Sequence, residues 1–271
     1  MARSALLNVM VTACIKAGRD LARDIGELEN LQVSRKGPGN FVTAADLKAE
    51  KTIRAELNKK RPGYNFIMEE SGRVDAGSAH TWILDPIDGT ANFTHGHPFF
   101  AISLALETDG QLQAGVIYNP ATEELFTAER GRGAFLNDRR IRVAARTALD
   151  DCLIVADPPY LSKPGHGEAL LRQRELMSRV AGIRALGSAA LALCYVAAGR
   201  MDGYIDTGLS SWDVAAGLLV LREAGGFATA WEAKESIYAS GRIVAGNEQV
   251  HRQLRALLTG DRPAAGRRSA G

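Results

Sequence analysis

The stretch Thr81-Trp82-Ile83-Leu84-Asp85-Pro86-Ile87-Asp88-Gly89-Thr90-Ala91-Asn92-Phe93 decides how this chain is read. Trp82 to Leu84 form an apolar run that reads as a buried strand, and Asp85 ends it. Pro86, Asp88 and Gly89 all turn a chain, so the local reading is a turn closing that strand. Pro86 would hold Asp85 and Asp88 on the same side, with the Ile87 carbonyl between them as a further oxygen. Gly89 lets backbone approach a bound anion closely, and Thr90 would head a helix through Ala91, Asn92 and Phe93 whose free N–H groups attract phosphate.

Upstream of that stretch, Leu6, Met10, Ala13, Ala17 and Leu21 recur at helical spacing, which predicts an amphipathic helix over about residues 4–29. The Gly/Pro segment Ser34 to Phe41 reads as a loop, and a second helix begins near Thr43. Strands are predicted at 64–69, 81–85, 100–107, 113–119, 123–130 and 134–143. Their short connections favour antiparallel neighbours. Gly131-Arg132-Gly133 is a hairpin turn, since no helix opens behind it as a dinucleotide-binding loop requires.

From residue 151 strands and helices alternate: 151–157, a helix near 167–180, 182–187, a helix over 188–199, 202–206, a helix over 212–226, 242–247 and a closing helix ending near Leu258. Such alternation means layered α/β packing. The helix after Trp212 is apolar almost all round, as a helix packed on both sides would be, with Asp213 as its first residue and Gly225-Gly226 as its stop. No linker separates two free domains. Residues 1–260 read as a single catalytic unit, with an α+β half at 1–145 that holds metal and an α/β half at 146–260. Residues 261–271, with Arg262, Arg267 and Arg268 among Gly, Pro, Ala and Ser, read as a flexible basic tail.

Composition narrows the function class. The 271 residues are 46% hydrophobic and 24% charged, with 33 basic against 31 acidic residues and a net charge of +2, so no global field advertises nucleic acid or an anionic membrane. No run approaches the ~20 apolar residues of a membrane span. Cys14, Cys152 and Cys194 lie far apart in apolar company, without zinc-site spacing or a disulfide pattern, which fits a reducing cytoplasm. His95-Gly96-His97 stands alone and reads as a structural or solvated loop pair rather than a zinc site.

Acids end several apolar stretches: Glu69 and Glu70 after Asn65 to Met68, Asp85 after Leu84, Asp88 beyond it, and Asp213 at the head of a buried helix. Gathered in one partly dry cleft, four such carboxylates, Glu69, Asp85, Asp88 and Asp213, would repel one another and be driven to protonate unless cations neutralised them. Oxygen-only ligation points to Mg²⁺ or Mn²⁺ rather than zinc. A phosphate beside two such ions makes a phosphatase site.

The segments 66–71 (FIMEES), 82–93 (WILDPIDGTANF), 211–217 (SWDVAAG) and 41–46 (FVTAAD) resemble the four signature segments of the inositol monophosphatase family, in order and at similar intervals, and the similarity spans residues 4 to 258. The resemblance implies a mixed α/β fold layered αβαβα, a Mg²⁺-dependent phosphomonoesterase inhibited by Li⁺, and commonly a homodimer. By motif, Glu69, Asp85, the Ile87 carbonyl, Asp88 and Asp213 are the implied metal ligands, Asp85 bridging two ions, with a third, weaker one near Glu69. Asp46, Glu69 and Thr90 are the implied catalytic groups around an attacking water, which needs no covalent phosphoenzyme. Asp88, Gly89, Thr90, Lys36, Asp206 and Gly187-Ser188-Ala189 are the implied substrate contacts. Asp206 stands where inositol-selective members usually carry a Glu, one methylene longer. An inositol or other polyol phosphate is the first substrate expected. Histidinol phosphate, fructose bisphosphate and adenosine bisphosphate are cleaved by relatives with the same metal core. A haloacid-dehalogenase phosphatase is a rival, but its two aspartates lie two positions apart where these lie three. A regulatory role beside transcription machinery is known for some bacterial members and is the reading outside catalysis.

Overall fold

A computed structural model of the chain describes residues 3–25, 33–37, 40–158, 166–232 and 234–260. The elements of the first half are α1 (Ala5–Asp24), β1 (Val33–Gly37), β2 (Asn40–Thr43), α2 (Ala44–Lys60), β3 (Asn65–Met68), β4 (Gly72–Val74), β5 (His80–Asp88), α3 (Thr90–Thr94), β6 (Ala101–Thr108), β7 (Gln111–Asn119), β8 (Glu124–Glu129), β9 (Gly133–Leu136) and β10 (Arg139–Arg140). The second half carries β11 (Leu153–Ala156), α4 (His166–Met177), β12 (Gly182–Arg184), α5 (Ala189–Ala197), β13 (Gly203–Thr207), α6 (Ser211–Glu223), β14 (Phe227–Thr229), α7 (Ile237–Ser240), β15 (Arg242–Gly246) and α8 (Glu248–Thr259).

Two sheets organise the molecule. The first runs β10-β9-β8-β7-β6-β5-β3-β4 and the second β12-β11-β13-β15-β14. Alternation along β5 shows how the layers arise. Trp82 and Leu84 face one side of the first sheet and join Leu7, Met10, Leu21, Ile53 and Leu57 of α1 and α2 in one core, while Ile83 faces the other side and joins α5 and α6. A third core lies beyond the second sheet, where Ile154, Ile205 and Val244 meet Leu176 of α4 and Val250 and Leu254 of α8. The order is therefore α1/α2, first sheet, α5/α6, second sheet, α4/α8, the expected αβαβα stack.

The central layer explains the all-round apolar character of 212–226. Val214 to Leu221 are buried because α6 has a sheet on each flank and α5 alongside. Gly217 permits that approach, since a Cβ there would come within 2.6 Å of Leu193 Cδ1. Full burial of each large apolar side chain contributes roughly 1.5–3 kcal/mol, so this layer is a main source of stability.

Several sequence expectations change. In the region read as a Ser34 to Phe41 loop, β1 (Val33–Gly37) pairs antiparallel with β2 (Asn40–Thr43), and residues 38–39 lie outside the described ones. The turn expected at Pro86 is not a reversal: β5 runs on to Asp88, and its pairing with β6 shifts register between Asp85 and Asp88. Pro86 is tolerated there because the irregular register leaves no ladder bond for it to donate. The first-half strand neighbours are not all antiparallel, for β3 pairs parallel with β5, while in the second half β11 pairs parallel with both β12 and β13, as strand and helix alternation allows. Asp213 is the third residue of its helix: Ser210 is the cap, and its N–H donates to Asp213 Oδ2 at 2.7 Å. The first helix ends at Asp24, and residues 26–29 lie outside the described ones, as does the tail at 261–271.

Candidate active site

Strand alternation sends Asp85 to the same side of the first sheet as Ile83, toward α6. The register shift that follows brings Asp88 round to the N-terminal end of α5. Asp88 Oδ2 accepts from the Ser188 hydroxyl at 2.5 Å and the Ala190 N–H at 2.8 Å, and Oδ1 accepts from the Ala189 N–H at 3.3 Å. Asp85 Oδ1 accepts from the Ile87 N–H at 2.9 Å, which fixes the loop carrying the Ile87 carbonyl. Asp213 arrives from the first turn of α6. One carboxylate oxygen from each of Asp85, Asp88 and Asp213 lies within 4.8 Å of the others.

These three acids, Glu69 and the Ile87 backbone line a cavity of about 460 Å³. Gly89 and Thr90 line it too, with Gly187, Ser188, Ala189 and Asp206 on its second-sheet side. Gly89 has φ 94°, and a Cβ there would lie 3.0 Å from the Gly187 carbonyl oxygen and 3.1 Å from that of Phe99, so only glycine lets the two walls meet. Asp46 does not reach the cavity. It is fully buried at the start of α2, where Oδ2 accepts from the Thr43 N–H at 2.8 Å and the Thr43 hydroxyl at 2.6 Å. Its Oδ1 lies 3.3 Å from the Thr90 hydroxyl, which also lies 3.0 Å from the Ile87 carbonyl. Lys36 belongs to β1, and its side chain lies outside the described residues.

Electrostatics set this cluster apart from an ordinary surface. Asp85 is 2% exposed and Asp88 8%. Burial, then the neighbouring charges of Glu69, Asp88 and Asp213, drive the Asp85 carboxyl well above its ordinary range. Burial and then Asp213 push Asp88 up to about 8, against the opposing hydrogen bonds from Ser188, Ala190 and Ala189. Among the described residues no lysine or arginine lines the cavity. Buried carboxylates with oxygen donors, and no lysine or arginine among the described lining residues, are the environment that a hard divalent cation fits.

A model of the inositol monophosphatase family matches residues 2–265. The chain belongs to the inositol monophosphatase family. A Mesorhizobium japonicum protein named inositol-1-monophosphatase is 60% identical over 255 residues, covering 94% of this chain and 96% of that one. A Pseudomonas aeruginosa protein named Nus factor SuhB is 40% identical over 263 residues, covering 95% and 96%. The crystal structure of the extragenic suppressor protein suhB from Bartonella henselae superposes with a TM-score of 0.91 at 55% identity, covering 94% of this chain and 98% of that one. The inositol monophosphatase family is metal-dependent, and the acidic cluster of this member could hold a metal.

Some groups of this family member escaped the sequence reading. Glu50 of α2, 2% exposed, accepts from the Glu70 N–H at 3.0 Å and the Ser71 N–H at 3.1 Å, with the Ser71 hydroxyl donating to it as well. It thereby clamps the chain that carries Glu69. Asn92 Nδ2 donates to the Phe99 carbonyl at 2.7 Å and the Leu186 carbonyl at 2.8 Å, tying α3 to the wall opposite. Asp157 lines the cavity, and so does His97, which the sequence reading took for a structural or solvated loop residue. Only Asp157 carried a usable signal, as an acid ending an apolar strand like Asp85.

Proposed function

We propose that the protein is a magnesium-dependent phosphomonoesterase of small polyol or sugar phosphates, with inositol monophosphate the first substrate. The convergence of Asp85, Asp88 and Asp213 oxygens within 4.8 Å, in the cavity that Gly89 and Thr90 also line, carries this reading. The relative named inositol-1-monophosphatase, at 60% identity, supports it.

Glu69, Asp85, the Ile87 carbonyl, Asp88 and Asp213 would hold two or three Mg²⁺, with Mn²⁺ meeting the same oxygen preference. When bound, such ions offset the crowded carboxylates and make water acidic enough to serve as a nucleophile near neutral pH. The chain's own residues do the rest. The Thr90 hydroxyl, with Asp46 and the Ile87 carbonyl as alternative acceptors for its proton, keeps lone pairs for a water and orients it toward phosphorus. Asp46 is locked by Thr43 and so fixes Thr90. Glu69 takes part beside them. The Gly89 and Thr90 N–H groups and Lys36 bind the phosphate, and Gly187, Ser188, Ala189 and Asp206 face the alcohol.

Residues 1–260 act as one catalytic unit, in a homodimer, in the cytoplasm, without a nucleic-acid partner. Three buried free thiols support a reducing compartment, and among the described residues no helix is long and apolar enough to cross a membrane. Relatives named Nus factor SuhB favour a second reading, a regulatory one beside transcription machinery. A partner pull-down that survives Asp88→Asn would separate the two roles.

The test is a phosphate-release screen of purified protein on inositol 1-phosphate, histidinol phosphate, fructose bisphosphate and adenosine bisphosphate, with Mg²⁺ or EDTA and with or without Li⁺. Release from inositol 1-phosphate that needs Mg²⁺ and falls with Li⁺ is expected. No release from any of the four, or release that EDTA does not touch, would contradict the proposal.

A further inference from the structure

We infer that Asp157 is a further specificity-determining residue, which joins Asp206 in meeting two neighbouring hydroxyls on the alcohol portion of the substrate. This rests on the phosphomonoesterase reading above. Parallel pairing of β11 with β13 sets Val155 beside Tyr204 and Ala156 beside Ile205. One residue further, Asp157 and Asp206 emerge side by side at the carboxyl ends of their strands, where open α/β sheets gather ligands. Alternation puts Asp157 on the face of Val155 and Asp206 on the face of Tyr204. Both of those neighbours belong to the central core, so both acids look inward, and both line the 460 Å³ cavity.

The two carboxylates are set in place before any ligand arrives. Asp157 Oδ1 accepts from the Leu186 N–H at 2.6 Å and the Gly187 N–H at 3.1 Å, while no donor among the described residues meets Oδ2. Asp206 Oδ2 accepts from the Tyr204 hydroxyl at 2.8 Å and Oδ1 from the Thr207 N–H at 2.6 Å, which fixes the carboxylate's position at the cavity wall. Adjacent strands run about 4.8 Å apart, a spacing from which two carboxylates can meet adjacent hydroxyls of one ring. A phosphate ester with a bare aryl or alkyl group brings no donor and strands these acceptors, which is how a polar site rejects the wrong substrate. The pair suits the polyol phosphate of the phosphomonoesterase reading when its ring carries vicinal hydroxyls.

Asp157→Asn tests this, because the amide keeps a carbonyl oxygen for Leu186 and Gly187 and replaces Oδ2 with a donor. The measurement is kcat/KM on inositol 1-phosphate and on p-nitrophenyl phosphate with Mg²⁺, for wild type, Asp157→Asn, Asp206→Asn and the double variant. The ratio of the two substrates should fall about tenfold in each single variant, mostly through KM, the scale of one lost hydrogen bond to a charged group. The double variant should fall by less than the product. An unchanged ratio, with both substrates losing alike or neither losing, would overturn the inference and leave the phosphatase reading standing. Wild-type preference for an amino-alcohol phosphate over inositol 1-phosphate would also overturn it. Wild-type protein inert toward all these esters would instead contradict the phosphatase reading itself.

Discussion

The Ser188 hydroxyl donates a 2.5 Å hydrogen bond to Asp88 Oδ2, joining groups 100 residues apart in the chain. The bond fastens the end of a first-sheet strand to the start of the central helix α5, and it falls on one of the three clustered acids. It also favours the charged form of Asp88, against burial and Asp213. Ser188→Ala should therefore weaken cation binding about tenfold, the effect typical of losing a group that supports a ligand. The Mg²⁺ concentration for half-maximal phosphate release measures this. Unchanged Mg²⁺ dependence would show that the Ala189 and Ala190 amides suffice.

Metal-free protein should become less stable as pH rises from about 4 to 8. The folded Asp88 carboxyl titrates near 8 against an ordinary 3.8, and Asp85 is also raised, so the folded state binds more protons than the unfolded one in that window. Their protonation stabilises the fold fully at acid pH, and that stability is lost as pH climbs toward the folded value. Melting curves in EDTA at pH 5 and pH 8 should show the lower Tm at pH 8, and Mg²⁺ should raise Tm more at pH 8 than at pH 5. A Tm in EDTA that is the same at both values, with no response to Mg²⁺, would remove the electrostatic basis of the site.

Glu50 supports Glu69 from behind through two backbone N–H groups. Glu50→Ala leaves both amides without their acceptor and should cost about 1–3 kcal/mol of stability in urea unfolding. It should also raise the Mg²⁺ requirement. Glu50→Gln keeps one carbonyl oxygen and should recover part of both. A variant that unfolds earlier yet keeps wild-type Mg²⁺ dependence would limit Glu50 to the fold.

Much of the site was legible in the sequence because its acids end apolar runs: Asp85 after Trp82-Ile83-Leu84, Asp88 before a glycine, Asp213 before Val214-Ala215-Ala216. The αβαβα stack came from the family resemblance, alternation alone giving layered α/β packing in the second half, and α6 declared its place between two layers by being apolar on every face. What stayed hidden depends on tertiary partners. Pro86 reads as a turn in isolation, but β6 carries the strand past it with a register shift. Glu50 looks like any surface acid on a polar helix until Glu70 and Ser71 are folded onto it. β4 and β14, three residues each, are too short to show an alternation. The parallel register of β3 with β5 cannot be read from two separate apolar runs.

The most direct measurement is Mg²⁺ titration of phosphate release from inositol 1-phosphate by EDTA-stripped protein, wild type beside Asp213→Asn. The substitution removes a charge and keeps an oxygen for the Ser210 N–H, so both proteins should fold alike. Wild type should show saturable activation from a near-zero baseline, and the variant should lose at least about a hundredfold of that activity. Wild-type release that ignores Mg²⁺, or an Asp213→Asn protein that turns over normally, would mean that these converging acids do not hold the catalytic metal.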